Sequence, residues 1–122
     1  MKLEFLAADC PLIRLYGFSR AEARSLRELV KSLASGSRES ISPGAQPWIE
    51  SVKGCQLTLR LGDPDQGIRQ SGPSTFPCVG SVDEWFHIEC LLDPFCESDP
   101  AGFQWLFRKG KTSLLSSLEG RW

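Results

Sequence analysis

The chain has one histidine, one tyrosine and one methionine among 122 residues, and no Lys or Arg between Gln70 and Phe107. A single histidine rules out multi-histidine metal centres and limits neutral-pH proton transfer by imidazole to one position. The five cysteines, Cys10, Cys55, Cys78, Cys90 and Cys96, contain no Cys-x-x-Cys pair, so the common zinc and dithiol spacings are missing. Being odd in number and irregularly spaced, they read as reduced thiols rather than a disulfide framework. No apolar stretch approaches the roughly 20 residues that span a bilayer. The opening MKLEFLAADC carries Glu4 and Asp9 where a secretory signal needs an unbroken apolar core, and Asp9 beside Cys10 argues against a lipoprotein cleavage site. These absences together lead us to expect a cytoplasmic protein without a membrane segment.

Excess charge is also lacking. Fourteen Lys and Arg oppose fifteen Asp and Glu, a net charge of −1, which gives no overall attraction to nucleic acid. The distribution is uneven: Asp83, Glu84, Glu89, Asp93, Glu97 and Asp99 give the Lys- and Arg-free stretch a charge of −6. With 41% apolar and 24% charged residues, the composition is that of an ordinary globular protein. The length suits one domain over residues 1–122, since the residues before the polar segment 36–47 are too few for a core of their own. That segment, GSRESISPGAQP, reads as a mobile loop.

Local signals define the elements. Ser19 and Glu22 form a capping box, Gly36 supplies a stop, and Leu26, Leu29, Val30 and Leu33 share one face, predicting a helix over about 20–35. Ser81 with Glu84, then Pro94, bound a second helix over about 82–93, with Trp85, Ile88 and Leu92 on its apolar face. The same segment alternates at Phe86, Ile88, Cys90 and Leu92, as a strand would. KLEFLAA and PLIRLYGF predict a hairpin about DCP, CQLTLRLG a half-buried strand, STFPCVG another, and FQWLF with TSLLSSL a second hairpin across RKGK. GDPDQG has turn chemistry that reverses the chain. The expected fold is α+β: a mostly antiparallel sheet of about five to seven strands with two helices.

EWFHIECLLDPFCE, residues 84–97, concentrates the chemistry. On a helix His87 lies one turn from Asp83, Glu84 and Cys90. His87, Cys90 and Cys96 could supply three zinc ligands, with Cys10, Cys55 or Cys78 as a fourth, but Pro94 breaks the helix between Cys90 and Cys96. A nucleophilic Cys90 with His87 and Asp83 would still lack oxyanion donors and a cleft. The chain therefore reads as non-catalytic and without cofactor, and the zinc-protein or small-enzyme reading is the weaker alternative.

Gly110, Lys111 and Thr112 resemble the end of a phosphate-binding loop, but Trp105 stands where its first Gly belongs. DPDQG lacks the spacing of a calcium loop. Arg20, Arg24, Arg27 and Lys31 form a basic stripe on the first helix, read as a solvated face because the whole protein is slightly acidic. Trp48 and Trp122 fall outside the apolar patterns and would anchor an interface if exposed, whereas Trp85 and Trp105 read as core. We expect a protein-interaction or regulatory domain, with Glu84, Glu89, Asp93 and Glu97 on its acidic binding surface and a protein as partner.

Overall fold

A computed structural model describes residues 1–7, 11–62, 67–68, 70–96, 102–107 and 112–117. It shows an α+β protein whose described strands form two sheets. The hairpin of β1 (Lys2–Leu6) and β2 (Leu12–Tyr16) forms as expected, with Glu4 opposite Arg14. Arg14 Nη2 lies 2.7 Å from Glu4 Oε1, and the guanidinium stacks 4.2 Å above the Tyr16 ring. A two-residue strand, β4 (Glu50–Ser51), lies parallel to β1. The second predicted hairpin, β8 (Phe103–Phe107) with β9 (Ser113–Ser117), docks β9 parallel to β2. The first sheet thus runs β4-β1-β2-β9-β8, with β8 at an edge.

The second sheet runs β3-β5-β7-β6, from β3 (Ser40–Ile41), β5 (Gln56–Leu61), β6 (Gly67–Ile68) and β7 (Thr75–Gly80). Among the described strands four of the seven pairings are antiparallel, as expected of a mostly antiparallel fold, and three are parallel, so the sheets are mixed rather than purely antiparallel. The reason is connection length: parallel neighbours need a crossover of about a dozen residues or more, and thirteen separate β5 from β7. Pro77 sits inside β7, opposite Thr58 of β5, while the described residues of β6 pair with Cys78 and Val79. The predicted turn at 63–66 lies outside the described residues. The expected loop at 36–47 contains β3 and a 3-10 turn at Pro43–Ala45, with Ile41 and Pro43 buried.

Helix α1 (Arg20–Ala34) starts and stops where its local signals place it. Ser19 Oγ accepts from Glu22 N while Glu22 Oε1 accepts from Ser19 N, and Gly36 takes the left-handed conformation just past the end (φ 77°). The Glu22 carboxyl is held below its usual range by the Met1 amino group, 2.7 Å away, and by the Ser19 N–H. Ala23, Leu26, Val30 and Leu33 are buried, and Leu29 is half-buried against them.

Helix α2 (Val82–Leu92) is a helix and not the alternative strand, capped by Ser81 Oγ accepting from Glu84 N. It buries Trp85, Ile88 and Leu92. The Trp85 indole N–H is shared between the carbonyls of Arg60 at 3.1 Å and Gly80 at 3.0 Å, pinning α2 to the ends of β5 and β7. A 3-10 turn at Asp93–Cys96 follows, and Phe95 meets Phe18 edge-on at 5.3 Å, joining it to the start of α1. One hydrophobic cluster draws on both sheets and both helices. No helix among the described residues is long and apolar enough to cross a membrane.

β9 is buried on both faces, including Ser116, whose hydroxyl meets no hydrogen-bond partner among the described residues. An unsatisfied buried hydroxyl costs roughly 1–3 kcal/mol. Ser116→Ala is therefore expected to raise stability by about 1 kcal/mol, seen as a higher urea midpoint at unchanged slope. A lowered midpoint would show that the hydroxyl has a partner.

Candidate functional site

At about 100° per residue, the buried face of α2 leaves an exposed sector containing Val82, Phe86, Cys90 and Asp93, with Asp83 and His87 beyond it on one side. All six are exposed; Val82 and Phe86 expose 48% and 58% of their surface. Glu89, on the sector's other border, and Glu84, nearer the buried face, are half-buried. Val82, Phe86 and Cys90 are four residues apart and so form a slanting stripe that rises about 12 Å along the helix. Phe103, 47% exposed, lies on β8, the edge strand beside α2. Val82, Phe86 and Phe103 are the exposed large hydrophobics among the described residues. The helical phase already separates Phe86 from Trp85 by one residue step, a signal masked in the sequence by the competing strand-like alternation.

The structure brings the sequence's acidic and basic candidates partly together. Asp93 Oδ1 lies 3.2 Å from Arg27 Nη1, and Arg24 Nη2 donates to the Cys96 carbonyl at 3.3 Å. Two of the four cations in the stripe on α1 thus face the end of α2, while Arg20 and Lys31 are exposed. Trp48 is half-buried against the core and its carbonyl accepts from the Met1 amino group at 3.2 Å. Trp105 is half-buried. Glu97, Trp122 and Cys10 lie outside the described residues.

Among the described residues, the thiols proposed as partners of Cys90 do not gather with it at the histidine. Cys90 is exposed beside His87, but Cys96 is buried and its thiol donates to the Leu92 carbonyl at 3.6 Å. Burial pushes the Cys78 thiol up to about 12, and burial with the nearby Glu4 charge pushes Cys55 up to about 11. Among the described residues, no group of three or more His, Cys, Asp or Glu is placed to share a metal ion. Native-state alkylation near pH 8 is accordingly expected to modify Cys90 while Cys78 and Cys55 stay protected until denaturant is added. Peptide mapping reads the order, and early labelling of Cys78 would contradict the packing.

Two concavities lined by described residues bear on the site. One, of about 420 Å³, is lined by Ser42, Gly44, Ser51, Cys55, Gln56 and Thr58 among others, and no carboxylate, histidine, Lys or Arg lines it. It offers hydroxyls, an amide and a neutral thiol, which do not form an acid–base pair. The other, about 550 Å³ and more open, is lined by Gly36, Glu39, Leu61, Gly62, Ser81 and Val82. It therefore meets the exposed stripe of α2 at Val82. Glu39, Leu61 and Phe103 were not among the candidates drawn from sequence, since only the folded arrangement places them beside α2, and Val82, the first residue of α2, was not among them either.

The fold defines an α+β class and no more. No protein-family model, curated protein or solved structure matches this chain, so its function has to be argued from its own geometry.

Proposed function

We propose that this is a non-catalytic protein-interaction or regulatory domain of a reducing, cytoplasm-like compartment, working through the acidic surface around residues 83–99. One observation carries the reading: Asp83 and Glu89 border the exposed sector of α2, and Asp93, paired with Arg27, closes its end, in a stretch that contains no Lys or Arg from Gln70 to Phe107. Clustering charge of one sign keeps like-charged partners out and speeds encounter with oppositely charged ones. Cys55, Cys78, Cys90 and Cys96 standing as thiols support the compartment. The engagement of Arg24 and Arg27 within the protein favours a protein partner over nucleic acid. The weaker reading, chemistry at His87 with Cys90 or Cys96, gains nothing from an outward Cys90 and a buried Cys96.

The test is comparative affinity capture with wild-type protein and the Asp83→Lys/Glu89→Lys double variant. A protein retained by the first, lost by the second and released by salt is the expected result. Equal recovery by both would contradict the acidic surface.

A further inference from the structure

We propose that the stripe Val82, Phe86 and Cys90, continued by the concavity at Leu61 and Glu39, docks an amphipathic helical segment of another protein with an apolar face bordered by Lys and Arg. This rests on the acidic-surface reading and adds to it the shape and chemistry of the occupant.

Apolar surface supplies the first part of the argument. The exposed large hydrophobics described all belong to α2 or to the strand beside it, and clustered exposed apolar side chains mark interaction surfaces rather than random exposure. A stripe about 12 Å long matches about two turns of a partner helix with apolar residues at i, i+4 and i+7. Half-buried Leu61 and exposed Val82 line the concavity at one end of the stripe, giving an anchor side chain somewhere to enter.

Charge decides the occupant. Asp83 borders the stripe on one side, Glu89 on the other, and Glu39 stands in the concavity. The positive end of the α2 dipole also points toward the concavity, but Asp83 and Glu84 occupy its first turn and offset it. Among the described cations nearby, Arg27 is paired with Asp93, and Arg60 alternates with Leu61 along β5 and so belongs to the opposite face. Arg38 is the neighbour of Glu39 and leaves that end near neutral. β8 contributes Phe103 and Gln104 and no charge. A second copy of this surface would bring carboxylates against carboxylates. A partner with a basic border satisfies both the apolar stripe and its rim.

Fluorescence anisotropy with two synthetic peptides of equal composition tests this: one with Leu on one helical face and Lys beside it, the other scrambled so that no face forms. The amphipathic peptide is expected to bind at least about 10-fold more tightly than the scrambled one. Phe86→Asp and, separately, Asp83→Lys/Glu89→Lys are each expected to weaken it about 10-fold or more, with far-UV circular dichroism unchanged. Equal affinity for both peptides, with loss only in the charge variant, would overturn the apolar docking groove and leave the acidic surface standing. Binding unchanged by the charge variant, together with unchanged capture, would overturn both. No binding of either peptide, or wild-type affinity in Phe86→Asp, would overturn the docking proposal. A dimer in sedimentation velocity that Phe86→Asp abolishes would also overturn it, by assigning the stripe to a second copy.

Discussion

Trp85→Ala is expected to lower the stability of the folded chain by about 3–5 kcal/mol, the range for removing a large buried aromatic. Trp85 has no exposed surface. Its loss would leave a void under α2 and deprive the Arg60 and Gly80 carbonyls of their shared indole donor. Domains of this size are stable by about 5–15 kcal/mol in total, so the variant should be largely unfolded by denaturant concentrations that leave the parent native. Trp85→Phe separates the two contributions. It retains most of the apolar volume and loses the donor, so it should cost about 1–3 kcal/mol. Urea titrations of the three proteins provide the check. If Phe and Ala substitutions were equally damaging, the hydrogen bonds would outweigh the packing.

Ile88→Asp and Phe86→Asp should differ as sharply as two neighbouring substitutions can. Ile88 is 2% exposed and Phe86 is 58% exposed. A carboxylate at Ile88 would be buried against the core without a partner, which should cost more than about 4 kcal/mol and abolish cooperative folding. A carboxylate at Phe86 enters solvent, and its effect on stability should stay within about 1 kcal/mol. The pair also decides between helix and strand, because residues two apart share a face in a strand and lie on different faces in a helix. Equal loss of stability from the two substitutions would contradict the helix.

How far the fold could be read from sequence follows from the range of the interactions. α1 was fully legible because Ser19, Glu22, Gly36 and the leucine periodicity all act within a few residues. The ends of α2 and the β1-β2 and β8-β9 hairpins were legible for the same reason. The parallel docking of β9 on β2 was not: it joins segments about a hundred residues apart in sequence, and no local rule encodes that choice. β3, β4 and β6 are two residues long, too short to carry a period. The mixed rather than purely antiparallel character of the sheets comes from such non-local parallel pairings.

The candidate surface was legible by a similar division. The acidity of the region after Gln70 is a plain fact of the sequence, whereas the helical phase that sets Phe86 apart from Ile88 competes there with a strand-like alternation that puts the two on one face. The meeting of Arg27 with Asp93 required the packing of α1 on α2, and the concavity at Leu61 and Glu39 required β5 and the end of α1 to converge on Ser81. Sequence thus supplied the charges, and the fold supplied the apolar stripe they border.

The measurement closest to the central claim is a backbone amide NMR titration of the wild-type protein with the basic amphipathic peptide. The account predicts shifts confined to residues 82–90, to Glu39, Leu61 and Gly62 around the concavity, and to Phe103 on β8. Shifts centred instead on the outer face of α1, or around the cavity at Ser42, Ser51 and Thr58, would contradict it.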